Sequence, residues 1–139
     1  METFYPHWNR AYTLLRVGSG LILSYHGIQK LMAGSSEFVQ LGEQFASLVG
    51  FEIFPYYLGL AAALLETIGG LAIAAGLFFR WAVLAALPVI VFAFLILVNN
   101  GASFSDFSNS LQTIVVLTGL LFIGPGTMSV DYQRGHRMP

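Results

Sequence analysis

The sequence predicts an all-α integral membrane protein, a four-helix bundle with a short amphipathic helix in its first outer loop. Three observations carry this expectation. The 139 residues are 56% hydrophobic and only 9% charged, whereas a soluble domain carries about 25% charged residues, so the chain cannot clothe a water-facing surface. Apolar stretches close to the roughly 20 residues needed to cross a bilayer occur four times. The basic residues are distributed as an even number of spans requires.

The first span is expected over about 12–33 and the second over about 56–79. The third, about 81–98, contains Pro88, which kinks a membrane helix without ending it. The fourth, about 107–123, is the shortest, and Gly124-Pro125-Gly126 forces it to stop. Only Arg80 separates the second and third spans, so a tight antiparallel hairpin is expected there. No internal repeat, low-complexity tract or linker divides the chain, and residues 1–139 read as a single domain.

The first outer loop has its own pattern. Phe38, Leu41, Phe45 and Leu48 recur at helical spacing, with Glu37, Gln40, Glu43 and Gln44 mostly on other faces. This predicts an amphipathic helix over about 37–48, with Ser36 as cap and Glu37 at the positive end of its dipole. Glu37, Glu43 and Glu52 with no basic residue make the loop a poor partner for anionic headgroups, so a lid or partner surface is the expected role.

Of six basic residues, Arg10, Arg16, Arg80, Arg134 and Arg137 fall on one side of this arrangement. The positive-inside rule makes that side cytoplasmic, with both termini on it. Trp8 and Trp81 near the inner boundary, and Tyr56 and Tyr57 near the outer one, suit aromatic belts. The opening METFYPHWNR lacks the cationic-then-apolar layout of a cleavable signal, so the first apolar run is expected to stay. The expected location is a bacterial-type cytoplasmic membrane.

Composition also excludes chemistry. A formal net charge of −1 and no basic cluster argue against nucleic acid as a partner. With no cysteine there is no disulfide, CxxC centre, zinc–thiolate site or cysteine-ligated cluster, and a quinone reductase working through a thiol pair is ruled out. No Walker, Rossmann or HExxH pattern occurs, and the serines form no triad with a histidine at a recognisable spacing. Only His26 of the three histidines falls inside a span, so two axial haem ligands within one chain are not to be had, and no metal site is expected.

The polar residues inside the apolar runs then need a reason. His26, Gln29 and Lys30 stand at i, i+3 and i+4 on the first helix, with Ser19 extending the stripe. His26 lies roughly 10 Å below the outer end of its helix, too deep and too short to snorkel, whereas Lys30 can snorkel to the outer headgroups or join a polar site. Glu66 lies about 15 Å inside the second span. Gly59, Ala62, Ala63, Gly69 and Gly70 surround it at helical spacing, and so small a face is one that neighbouring helices approach closely. Glu66 is therefore expected to point into the bundle, with His26 as its first-choice partner and Lys30 one turn further out. That pair either fixes helix register or lines a ligand or proton site. Asn99 and Asn100 at the end of the third span and Gln112 at the start of the fourth gather at a similar depth. Arg16, near the inner boundary, reads as an anchor, and Asp106 as a cap for the fourth helix.

Three stretches resemble one family. LLRVGSGLILSYHGIQKLMAG resembles the first helix of the DoxX family of small membrane proteins, above all in His26-Gly27 and Gln29-Lys30-Leu31. LLETIGGLAIAAGLFFRWAVL resembles its second-to-third helix hairpin, with Glu66, Gly69-Gly70, Gly76 and Arg80 at matching positions. GPGTMSVD, residues 124–131, resembles its close of the fourth helix. The resemblance implies a four-helix bundle in the cytoplasmic membrane, related to the DoxD-like small subunit of thiosulfate:quinone oxidoreductase and to membrane partners of oxidative-stress enzymes.

Fold kinship does not fix activity, and three readings follow. One is a quinone- or small-molecule-binding accessory subunit of a membrane oxidoreductase or oxidative-stress system, with His26, Gln29, Lys30, Glu66, Asn99 and Gln112 as ligand-binding or proton-relay groups. A quinone is then the cofactor, and electrons pass to a membrane or peripheral redox partner. The second is a non-catalytic scaffold or assembly factor. The third is a small transporter, and a homo-oligomer suits any of the three. Catalysis, if present, belongs to a subunit of a quinone-linked oxidoreductase.

Overall fold

The structure, a computed structural model, describes residues 8–50 and 54–135. Glu52 and Arg137, which entered the charge argument, lie outside the described residues, as do the histidines at 7 and 136. All regular secondary structure among the described residues is helical: α1 (Trp8–Ala33), α2 (Ser35–Val49), α3 (Pro55–Ala75), α4 (Phe79–Asn99), α5 (Phe104–Ile123) and α6 (Val130–Gly135). Of these, α3, α4 and α5 are long and apolar enough to cross a membrane. The 26-residue α1 has the length, but Arg10, Arg16, His26, Gln29 and Lys30 dilute its apolar character.

Helix order in space is α1–α3–α4–α5, with α2 laid across α3 and touching α1 and α4. The α1–α3 seam is the most extensive, and its sequence explains it. A Cβ on Gly20 would stand 2.6 Å from the Gly70 carbonyl oxygen, and one on Gly70 would stand 2.5 Å from the Ser24 nitrogen. The two backbones therefore touch, as small residues permit in membrane helix pairs. By contrast α1 and α5 meet at few points. The core lies where Leu23, Ile73, Val83, Ala86, Leu117 and Leu120 converge.

The α3–α4 hairpin turns earlier than expected. Helix α3 ends at Ala75, not near Phe79, because Gly76 takes a left-handed φ of 69°. Leu77 N–H bonds the Ala72 carbonyl at 2.9 Å and Gly76 N–H the Ile73 carbonyl at 3.1 Å, the pairing of a Schellman stop. Arg80 thus belongs to the first turn of α4 and does not separate the helices. Pro88 sits inside α4 without ending it.

Helix α2 begins at Ser35 after Gly34, without a side-chain cap, so Ser36 does not play the expected capping part. It buries Phe38, Gly42 and Ala46, with Leu41, Phe45 and Leu48 half-buried and Gln40, Glu43, Gln44 and Ser47 exposed. Phe45 packs on Phe92 of α4, ring centres 5.2 Å apart. Helix α5 starts at Phe104, three residues ahead of expectation, because Asp106 Oδ2 accepts the Ser103 N–H at 2.9 Å and its hydroxyl at 2.7 Å. Asp106 is the N-terminal cap partner the sequence indicated.

Candidate functional site

Two polar centres lie at opposite ends of α1. At the end where α2 crosses, the small face of α3 turns inward: Gly59, Ala62, Ala63, Glu66, Gly69 and Gly70 are all buried, and Glu66 is only 3% exposed. Its partner is Lys30, whose Nζ lies 2.6 Å from Glu66 Oε1. The expected His26–Glu66 bond does not form. Helical side chains lean toward the N-terminus of their own helix, so the long Lys30 stem drops about one turn and reaches Glu66, while His26, one turn below Lys30 on α1, is exposed. Lys30 accordingly points into the protein and does not snorkel.

Beside this pair lies a cavity of about 270 Å³ walled by all five long helices. His26 and Lys30 come from α1, Leu41 and Gln44 from α2, and Glu66 from α3. Ile90, Ala93, Ile96 and Leu97 come from α4, and Asn109, Ser110 and Thr113 from α5. Glu66 Oε2 is buried and has no hydrogen-bond partner, which costs free energy in a dry site and marks an acceptor available to a ligand. His26 stands on the same wall, its ring edge against Tyr25 at 6.2 Å.

Not every expected residue joins this centre. Gln29 and Asn99 are exposed and line no part of the cavity. On a helix, positions i+3 and i+4 flank position i by about 60° on one side and 40° on the other, so turning Lys30 inward carries Gln29 away. Asn99 is the last residue of α4. Gln112 lines a separate groove between α1 and α5. Gln44, Asn109 and Thr113 were not foreseen, although Asn109 and Thr113 sit one helical turn apart on the same face as each other, a signal the sequence did carry.

The second centre corrects the reading of Arg16. It is 2% exposed, not a boundary anchor. Its Nη1 donates to the Pro125 carbonyl and its Nη2 to the Met128 carbonyl at 3.2 Å. Tyr12 donates its hydroxyl to the Gly124 carbonyl. The GPGTMSVD stretch thus folds back under α1 and the hairpin. Ser129, fully buried, donates to the Gly126 carbonyl at 2.7 Å, and Asp131 accepts the N–H groups of Phe78 at 3.0 Å and Phe79 at 2.8 Å. One arginine and one tyrosine thus tie three backbone carbonyls of the 124–128 segment to α1, with Arg16 Nε left buried and unpartnered.

Among comparisons with known proteins, a family model described as DoxX matches residues 11–99. That span contains both the Lys30–Glu66 pair and Arg16 but not the carbonyls Arg16 binds. No curated protein and no solved structure matches the chain.

Proposed function

The chain belongs to the DoxX family, and from that premise we propose that it is a ligand-binding accessory subunit of a membrane oxidoreductase or oxidative-stress system. In this reading α1 joins α3, α4 and α5 as a fourth span, residues 1–139 form one domain, and the amphipathic α2 is a lid over the cavity. Both termini face the cytoplasm, as the positive charges favour. The ligand is a quinone or a comparable small molecule with a hydrogen-bonding head.

One observation carries the proposal: Glu66 Oε2 is buried and unpartnered, and Glu66 lines a cavity together with Lys30 and His26. A structural ion pair alone is best served by satisfying both carboxylate oxygens. Here one oxygen is held by Lys30 and the other is left buried without a partner, in a residue that lines a half-open cavity together with an exposed histidine. A hydroxyl of a quinol can donate to Oε2, and His26, which lines the same cavity, can exchange the proton. With no cysteine in the chain, the electrons pass to a redox group of the partner enzyme. Gln44, Asn109 and Thr113 replace Gln29 and Asn99 as the neutral polar contacts of the site.

The test is carbodiimide modification of Glu66 in purified protein, located by peptide mass spectrometry. A short-tailed quinol should slow the modification, and Glu66→Gln should abolish both the adduct and quinol retention. Unchanged labelling in the presence of quinol, together with no quinone carried through purification, sinks the proposal. A stoichiometric protein partner retained without any ligand would instead favour a scaffold.

A further inference from the structure

Between α1 and α5 runs a groove of about 630 Å³ that shares Ile22, Asn109 and Thr113 with the cavity walls. The two spaces adjoin, and they differ in chemistry. No ionisable residue lines the groove; Ala11, Leu14, Leu15, Gly18, Ile22 and Val116 supply most of its surface. Its hydroxyls are already engaged within their own helices. Ser19 donates to the Leu15 carbonyl at 2.7 Å and Thr113 to the Asn109 carbonyl at 2.9 Å. From Ala11 to Ile22 the groove follows α1 for about 16 Å of helix rise. It is open because α1 and α5 have few contacts, and because Gly18 on its wall has nothing within 4 Å of where a Cβ would stand.

We propose that this groove holds the apolar tail of an amphiphile whose hydrogen-bond-donating head lies in the Lys30–Glu66 cavity, and that the molecule enters sideways from the bilayer between α1 and α5. This inference rests on the reading of the cavity as a head-group site and adds the class of ligand to it. A hydrocarbon tail loses nothing on moving from lipid into such a groove, so the head supplies the selectivity: an uncharged donor finds Glu66 Oε2, and the tail sets its depth. Two sources share this chemistry, a prenylated quinol and a singly acylated glycerol.

The experiment measures retention of three probes by the full chain in lipid nanodiscs: a decyl-tailed benzoquinol, its methyl-tailed counterpart and monodecanoyl glycerol. Gly18→Phe projects a ring into the groove from a position where a Cβ meets nothing within 4 Å. It should weaken decyl-quinol retention by about tenfold or more, equivalent to about 1.4 kcal/mol, and leave the methyl-tailed quinol unchanged. Gly18→Leu should give an intermediate loss, an order that misfolding would not produce. Gly119→Phe, which also meets nothing and lies outside both spaces, should change neither. Retention of the glycerol ester but not the decyl quinol assigns the groove to lipid, and the reverse assigns it to quinol. Equal retention of long and short tails, with Gly18→Phe silent, overturns the groove and leaves the head site standing. No retention of any probe by the unmodified protein overturns the head site and the groove with it. If Gly18→Phe instead alters particle size while decyl-quinol retention is unchanged, a second copy occupies the groove and the inference falls.

Discussion

Lys30 and Glu66 are 36 positions apart and meet at 2.6 Å, Nζ to Oε1, with the carboxylate almost wholly buried. The geometry depends on a cation that enters from near the end of α1 and a carboxylate fixed by the crowded face of α3. Replacing Lys30 leaves Glu66 as an uncompensated buried charge. Lys30→Met should therefore destabilise the protein by about 3 kcal/mol, and Glu66→Gln in the same chain should restore most of the loss. Reversible unfolding in detergent, followed for the two single variants and the double, checks both statements. Additive losses would show that the residues act apart.

The ion pair is held in register by glycines below it. A side chain at Gly70 would run into the Ser24 backbone and one at Gly27 would come within 2.5 Å of the Thr67 nitrogen. Gly70→Leu should push α1 off α3 and uncouple Lys30 from Glu66. In that background Lys30→Met should cost little, so the interaction energy between positions 30 and 70 should be about 1 kcal/mol or more. Since the chain has no cysteine, introduced cysteine pairs across the seam can report the separation directly.

Much of this site was readable from the chain, and the failures have definite causes. The small residues spaced around Glu66 placed it inward, and they are buried as expected. Its partner was misassigned because helical spacing gives the direction of a Cβ but not where a long, backward-leaning side chain ends. The hairpin turn was placed at Arg80 because residues 68–79 are uniformly apolar and hydropathy has no feature there; the stop comes from the backbone freedom of Gly76. Arg16 could not be read as buried because its acceptors are carbonyls 109 and 112 positions away, and backbone acceptors leave no mark in sequence.

Those carbonyls give a third prediction. Arg16→Leu removes the part-buried hydrogen bonds to the Pro125 and Met128 carbonyls, at about 1 kcal/mol or more for each. Arg16→Lys should rescue only in part, because one ammonium does not reproduce the fork that spans two carbonyls. Proteolysis in sealed vesicles should show the segment from Gly124 onward becoming cleavable in Arg16→Leu, while quinol retention at the distant Lys30–Glu66 cavity stays within a few-fold of the parent. A loss of retention as large as that of Glu66→Gln would mean that the two ends of α1 are coupled.

The cap of α4 supplies the last. Phe78 adopts a left-handed φ of 44°, unfavourable for a bulky residue, and has no side-chain oxygen with which to cap the helix it precedes. Asp131 makes up for this from 52 and 53 positions away. Its two oxygens receive the Phe78 and Phe79 amides, and its own N–H bonds the Gly76 carbonyl at 3.0 Å. The carboxylate also lies against the positive end of the α4 dipole. Asp131→Ala should cost about 1–2 kcal/mol, in the range of a lost N-terminal cap, and Asp131→Asn less, since one oxygen remains. Hydrogen exchange is the decisive measurement: the amides of Phe78 and Phe79 should exchange markedly faster in Asp131→Ala, with those in the middle of α4 unchanged. Equal protection in both proteins would mean that Phe78 is held in its left-handed conformation by packing alone.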